Sequence, residues 1–217
     1  MSSFLQDHFD GAAATPLTSH TSDSGHAWVA THTYLTPPQL DGAGGLYMPD
    51  SGQAYMSGSA ADPTTTGAAT SYSISFTGDN PSGVGIILLD NWIDFRGFEC
   101  DIWADAGSGL WQTYRCLNIS AGGYPPMSNG SAATTLPVTS GEHTWTVTLS
   151  ADRMTLTGSL DGIVLDSWTV ASPIPETLYP GLFIDGGGSS NLVVLEFGFG
   201  AASNFWTANI LTTETLT

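Results

Sequence analysis

Residues 142–170, EHTWTVTLSADRMTLTGSLDGIVLDSWTV, constrain this chain more than any other stretch. His143, Trp145, Val147 and Leu149 alternate with Glu142, Thr144, Thr146 and Thr148, the period of a strand with one face buried and one wet. Two further short strands follow, joined by Asp161-Gly162, a dipeptide that supplies the positive φ angles of a tight type I′ hairpin. A segment patterned this way belongs in an antiparallel sheet that packs one face against a partner.

The rest of the chain extends the pattern. Tyr72, Ile74 and Phe76 alternate, and the unbroken apolar run over 84–89 reads as a strand covered on both faces. Residues 98–105 and 110–118 flank Ala106-Gly107-Ser108-Gly109 and read as a hairpin, and 192–199 form a late core strand. Between them, 121–141 reads as a polar loop. No helix, solenoid repeat or linker interrupts this order, so 217 residues are expected to form a single β-sandwich or jelly-roll domain spanning 1–217.

Charge narrows the partners. Twenty Asp and Glu face three Arg (Arg96, Arg115, Arg153) and no Lys, for a formal charge of −17. Such a chain repels phosphate backbones and anionic bilayers, which excludes nucleic acid and disfavours membranes. No apolar run is long enough to span a bilayer. The opening MSSFLQDHFDG lacks the basic start and apolar core of a secretory signal, so release by lysis or use without secretion is expected. The surface must be covered mainly by Thr, Ser, Gly and Asn, which suits docking on a larger assembly or a homo-oligomer.

In the 98–118 hairpin, a register symmetric about Ser108 places Cys100 opposite Cys116, close enough for a cross-strand disulfide. Two buried thiols packed side by side are the simpler expectation for a chain without a signal. The same register puts Glu99, Asp101, Trp103 and Asp105 on one face with Leu117, Arg115, Thr113 and Trp111. Asp101 then faces Arg115 as an ion pair. Trp103 and Trp111 beside Asp101, Asp105 and Arg115 make a candidate platform for sugar rings, which stack on indoles while carboxylates accept hydroxyl hydrogens. The alternative is that these tryptophans pack against a loop or a neighbouring subunit. His20, Asp23 and His26 lie close together and Asp185 precedes a glycine run; calcium would take such loop carboxylates, but no spacing matches an EF-hand or a zinc motif, turn-forming roles explain the pattern, and no cofactor is expected.

The phrase Asp7, Phe9, Gly11, followed by Leu17, His20, Thr21, Asp23, Gly25 and Trp28, resembles the start of concanavalin A-like or laminin-G-like sandwich domains in tailed-bacteriophage virion proteins. GFECDIWAD, LWQTYRCLNIS, TWTVTLSADRMTLTGSLDGIVLDSW and YPGLFIDGG resemble later parts of the same domains. That resemblance implies a non-enzymatic virion surface protein: a capsid decoration, head fibre or minor tail component bound to other virion proteins and contacting host glycans. Residues 1–12 and 201–217, the latter with Phe205 and Trp206, would be the docking segments. A free lectin-like module is the alternative within the same fold. A laminarinase-type glycoside hydrolase is the other, but such enzymes carry E-x-D-x-x-E, and here Glu99 and Asp101 are followed by Trp103 where a second acid could stand. Glu142 or Glu196 would have to supply that acid from another strand.

Overall fold

The computed structural model describes residues 6–23, 25–33, 36–50, 53–58, 64–65, 70–78, 83–91, 96–105, 110–118, 126–137, 139, 141–186 and 192–201. Six short strands open the chain: β1 Gln6–Asp7, β2 Trp28–Thr33, β3 Gln39–Leu40, β4 Leu46–Tyr47, β5 Gln53–Gly58 and β6 Thr64–Thr65. Eight more strands follow: β7 Thr70–Thr77, β8 Gly83–Asn91, β9 Arg96–Asp105, β10 Leu110–Asn118, β11 Pro126–Pro137, β12 Glu142–Leu149, β13 Thr155–Leu160 and β14 Ile163–Thr169. Two close the order, β15 Thr177–Asp185 and β16 Val193–Ala201. The only helical turn among the described residues is a 3₁₀ turn at Leu17–Ser19, so no helix there is long and apolar enough to cross a membrane.

Two antiparallel sheets of eight strands face each other. The first runs β14-β13-β12-β7-β16-β4-β3, with β1 also on β16; the second runs β11-β10-β9-β8-β15-β5-β2, with β6 also on β15. The fold is an antiparallel β-sandwich of the jelly-roll type, as the alternation implies. Strand β12 buries His143, Trp145, Val147 and Leu149 and leaves its threonines half-buried on the other face. The β13–β14 turn has φ of 51° at Asp161 and 78° at Gly162, the left-handed pair a two-residue hairpin requires. The continuous apolar run is strand β8, buried from Gly83 to Leu89 because both of its faces are covered.

The inner faces share one core. Tyr72, Ile74, Phe76, Trp145, Val147 and Phe197 from the first sheet meet Ile86, Leu88, Ile102, Leu182 and Ile184 from the second. Trp145 crosses this interface: its indole Nε1 donates to the Cys100 carbonyl on β9 at 3.1 Å. Gly158 on β13 makes room for it, since a Cβ there would collide with the indole Cη2.

Two elements depart from the sequence reading. The stretch read as a polar loop contains strand β11, which has no apolar alternation to announce it. Its partner β10 supplies the ladder, interrupted where Trp111↔Leu136 steps to Thr113↔Ser131. Strand β15 lies in the middle of the second sheet although Pro180-Gly181 punctuates it. Proline is tolerated because it falls between two pairings on one side of the strand: β6 pairs with Thr177 and Leu178, and β5 begins only at Gly181.

The pairing pattern divides the chain into two groups. Strands β7 to β14 pair among themselves in two runs, and β1 to β6 pair only with one another or with β15 and β16. The two late strands therefore join the groups, β15 between β8 and β5, and β16 between β7 and β4.

Candidate functional site

The outward face of the second sheet carries the chemistry. Strand β9 turns Cys100, Ile102 and Ala104 to the core, so alternation sends Glu99, Asp101 and Trp103 the other way. Strand β8 likewise directs Ile87 and Leu89 outward, where they join Phe183 of β15 in a second apolar cluster. Trp103 and Tyr179 pack against it, both half-buried. Two glycines of β8 make this close approach feasible. A Cβ at Gly83 would lie 2.7 Å from Trp103 Cε2, and one at Gly85 would lie 2.7 Å from Asp101 Cβ.

Trp103 is fixed in place. Its Nε1 donates to Asp101 Oδ2 at 2.8 Å, and its ring centroid is 5.6 Å from that of Phe183 at a 43° tilt. Asp101 and Glu99 are fully buried in spite of facing away from the core. A carboxylate in that position is costly to hold unless donors surround it. The indole N–H is one such donor for Asp101.

The backbone register places the other predicted residues. Cys100 pairs with Cys116, Asp101 with Arg115, Glu99 with Leu117 and Trp103 with Thr113, as a register symmetric about Ser108 requires. The symmetry ends at Gln112. A bulge there pairs Trp111 with Ala104 and Leu110 with Asp105. Cys100 is a buried thiol. The side chains of Asp105, Trp111, Arg115 and Cys116 lie outside the described residues, and so does the tail 202–217.

Three residues of this face were not assigned to it from the sequence, although Asp185 was weighed as a calcium ligand and all three lie in YPGLFIDGG. Tyr179, Phe183 and Asp185 alternate along β15, and Asp185 is buried at its end, opposite Gln53 of β5. The spacing Y-x-x-x-F-x-D is the signal, obscured by Pro180-Gly181 between them. Glu142 and Glu196, the acids that a hydrolase would need to borrow, stand on β12 and β16 in the other sheet. Neither reaches the Glu99–Asp101 face.

The opening motif has a different use. Asp7 is fully buried, and its carboxylate accepts three hydrogen bonds: Oδ1 from the Phe9 amide at 2.8 Å and from His20 Nε2 at 2.9 Å, Oδ2 from Trp28 Nε1 at 2.5 Å. Phe9, Trp28 and Phe197 stack around it, with ring centroids 6.1 Å and 5.4 Å apart in turn. Asp, Phe, His and Trp of the motif thus build one joint between the start of the chain and β16. Residues 6–11 are woven into the sandwich, since β1 pairs with Phe197 and Gly198 and a Cβ on Gly11 would strike Leu40. His20 is held by Asp7 and Asp23 by His8. Among the described residues no group of three or more His, Cys, Asp or Glu could hold a metal ion.

No family model matches the chain, and no curated protein matches it in sequence. Solved structures share its architecture. The carbohydrate recognition domain of Emp47p is similar over 91% of this chain and 97% of its own length, with TM-score 0.54 and 10% identity. The corresponding domain of Emp46p in its potassium-bound form gives TM-score 0.56 at 11% identity, covering 87% of this chain and 95% of that one. An endo-1,3-beta-glucanase from Streptomyces sioyaensis gives TM-score 0.52 at 17% identity, covering 92% and 96%. At such identities the likeness is one of fold: the concanavalin A-like jelly roll.

Proposed function

We propose that this chain is a non-catalytic jelly-roll module that contacts carbohydrate through the outward face of its second sheet, displayed on the surface of a bacteriophage particle. The observation that carries the carbohydrate reading is the indole of Trp103, locked by Asp101 and backed by Phe183, with Tyr179 farther along the same face. A rigid aromatic surface next to polar groups is how proteins hold sugar rings. The fold is shared with carbohydrate recognition domains and glucanases alike, so the site must decide between binding and hydrolysis.

Hydrolysis by either stereochemical route needs two carboxyls that reach the scissile bond from opposite sides, about 5 Å or about 6.5–9.5 Å apart. Here Glu99 and Asp101 have no exposed surface, Asp101 is committed to Trp103, and the next outward position on the strand is the indole itself. A sugar therefore meets Trp103 and Tyr179 rather than an acid.

The glycan reading predicts that Trp103→Ala lowers affinity for a glycan found by array screening about tenfold, with Trp103→Phe between it and the unaltered chain. Both variants must first show unchanged circular dichroism. Equal affinity in all three would move the site elsewhere, and release of reducing sugar by the unaltered chain would end the non-catalytic reading.

The virion setting is supported by the resemblance of the opening motif. That motif builds the Asp7 joint, so it speaks for the fold more directly than for the place. With residues 6–11 occupied in the sandwich, attachment is assigned to the segment beyond Ala201. Deleting 202–217 is expected to lower the number of copies on purified particles severalfold, counted by electron cryo-microscopy. Full occupancy would exclude the tail. Absence of the intact protein from every particle would leave the free lectin.

A further inference from the structure

Beside the buried Asp7 joint lies a second, solvent-facing set of ionisable groups. His8 is half exposed and sits between two carboxylates on different segments. Its Nδ1 bonds Asp23 Oδ2, and its backbone N–H donates to the same oxygen at 3.2 Å. Its Nε2 stands 3.7 Å from Glu196 Oε1 on β16. Gln6 fills the gap: its Nε2 donates to Glu196 Oε1 at 2.9 Å and lies 3.2 Å from His8 Nε2.

The arrangement has two chemically distinct states. In a neutral ring carrying its proton on Nδ1, Nε2 is an acceptor and takes a hydrogen from the Gln6 amide. In a cationic ring Nε2 is a donor, the Gln6 N–H group must turn away, and the ring N–H faces Glu196 directly. The charged groups around the imidazole are Asp23 from the 20–27 loop, Glu196 from β16 and Asp10 just beyond it in the chain, all acidic. The Asp7–His20 pair lies behind Phe9.

We propose that His8 is a protonation-dependent clasp, which holds the first strand against β16 and the 20–27 loop in mildly acidic solution and loosens it at alkaline pH. The hydrogen bond to Asp23 raises the His8 pKa above its ordinary 6.5; partial burial opposes this, and the charges of Glu196, Asp23 and Asp10 add to it. A histidine raised on folding binds its proton more tightly in the folded chain. Its contribution is complete below about pH 6.5 and is lost as pH climbs through the higher folded value. Solvent screens a half-exposed pair, so the effect is local and modest, about two- to fivefold in the opening equilibrium of this corner.

The test is hydrogen exchange of the His8 and Phe9 amides in the full chain between pH 5.5 and 8.5, corrected for intrinsic rates. Protection should fall about two- to fivefold across that window, be flat in His8→Gln, and change less in Glu196→Gln than in the unaltered chain. The same fall in His8→Gln would place the titrating group elsewhere and would overturn the clasp. Flat protection in the unaltered chain would overturn it as well.

Discussion

Asp7→Ala is expected to lower the free energy of unfolding by about 3–5 kcal/mol, the cost of removing one partner from a buried, charge-assisted hydrogen-bond network. The substitution strands three donors at once: the Phe9 amide, His20 Nε2 and the Trp28 indole. It also frees β1, whose ladder with β16 is only two residues long and cannot hold alone. Asp7→Asn is the informative companion. It keeps one acceptor oxygen but turns an NH₂ group toward a donor, so it should fall between the two. Urea unfolding followed by tryptophan fluorescence measures all three chains. A loss below about 1 kcal/mol for the alanine variant, in the range of an ordinary surface change, would mean that the joint is peripheral to stability.

Trp145→Ala should cost about as much, roughly 3–5 kcal/mol, because deleting a core indole forfeits its burial and leaves a cavity behind. The residue is fully buried, and its ring reaches from one sheet to a backbone carbonyl of the other. Trp145→Phe separates the contributions. It retains most of the apolar volume and loses the bond to Cys100, for an expected cost of about 1–3 kcal/mol. Thermal unfolding by calorimetry ranks the series. If phenylalanine proved as damaging as alanine, the cross-sheet hydrogen bond would matter more than the packing of the ring.

How much of this was legible in the sequence depended on whether local pattern or tertiary partners set each element. Strand β12 announces itself because one of its faces is wet and the other dry, and the β13–β14 turn because Asp-Gly accepts the angles it needs. The hairpin register symmetric about Ser108 holds from Thr113 to Asn118 and fails beside the loop, where one extra residue at Gln112 shifts the pairing of Trp111 and Leu110. Strand β11 is written in Ser, Ala, Thr and Asn and is a strand only because β10 offers it a ladder. Proline hid β15 as a strand, and with it the face that Phe183 and Asp185 share, because its tolerance depends on a gap between two neighbouring strands that no local reading could foresee. In the opening motif the residues were visible and their purpose was not. Asp, His and Trp at that spacing could serve a ligand as readily as one another, and only the shared carboxylate of Asp7 distinguishes the two.

The placement of β15 and β16 has a consequence in time. A ribosome that has delivered every residue up to Thr169 has produced two sets of strands with no direct ladder between them, each with raw edges at β7 and β8 or at β4 and β5. Those edges are sealed only once β15 and β16 emerge. The fold is therefore completed only when β15 and β16 pair over long range, and such pairing is slow and leaves strand edges open to other chains. For a polypeptide made in many copies at once, the interval between the fourteenth strand and the sixteenth is the period of greatest risk of aggregation.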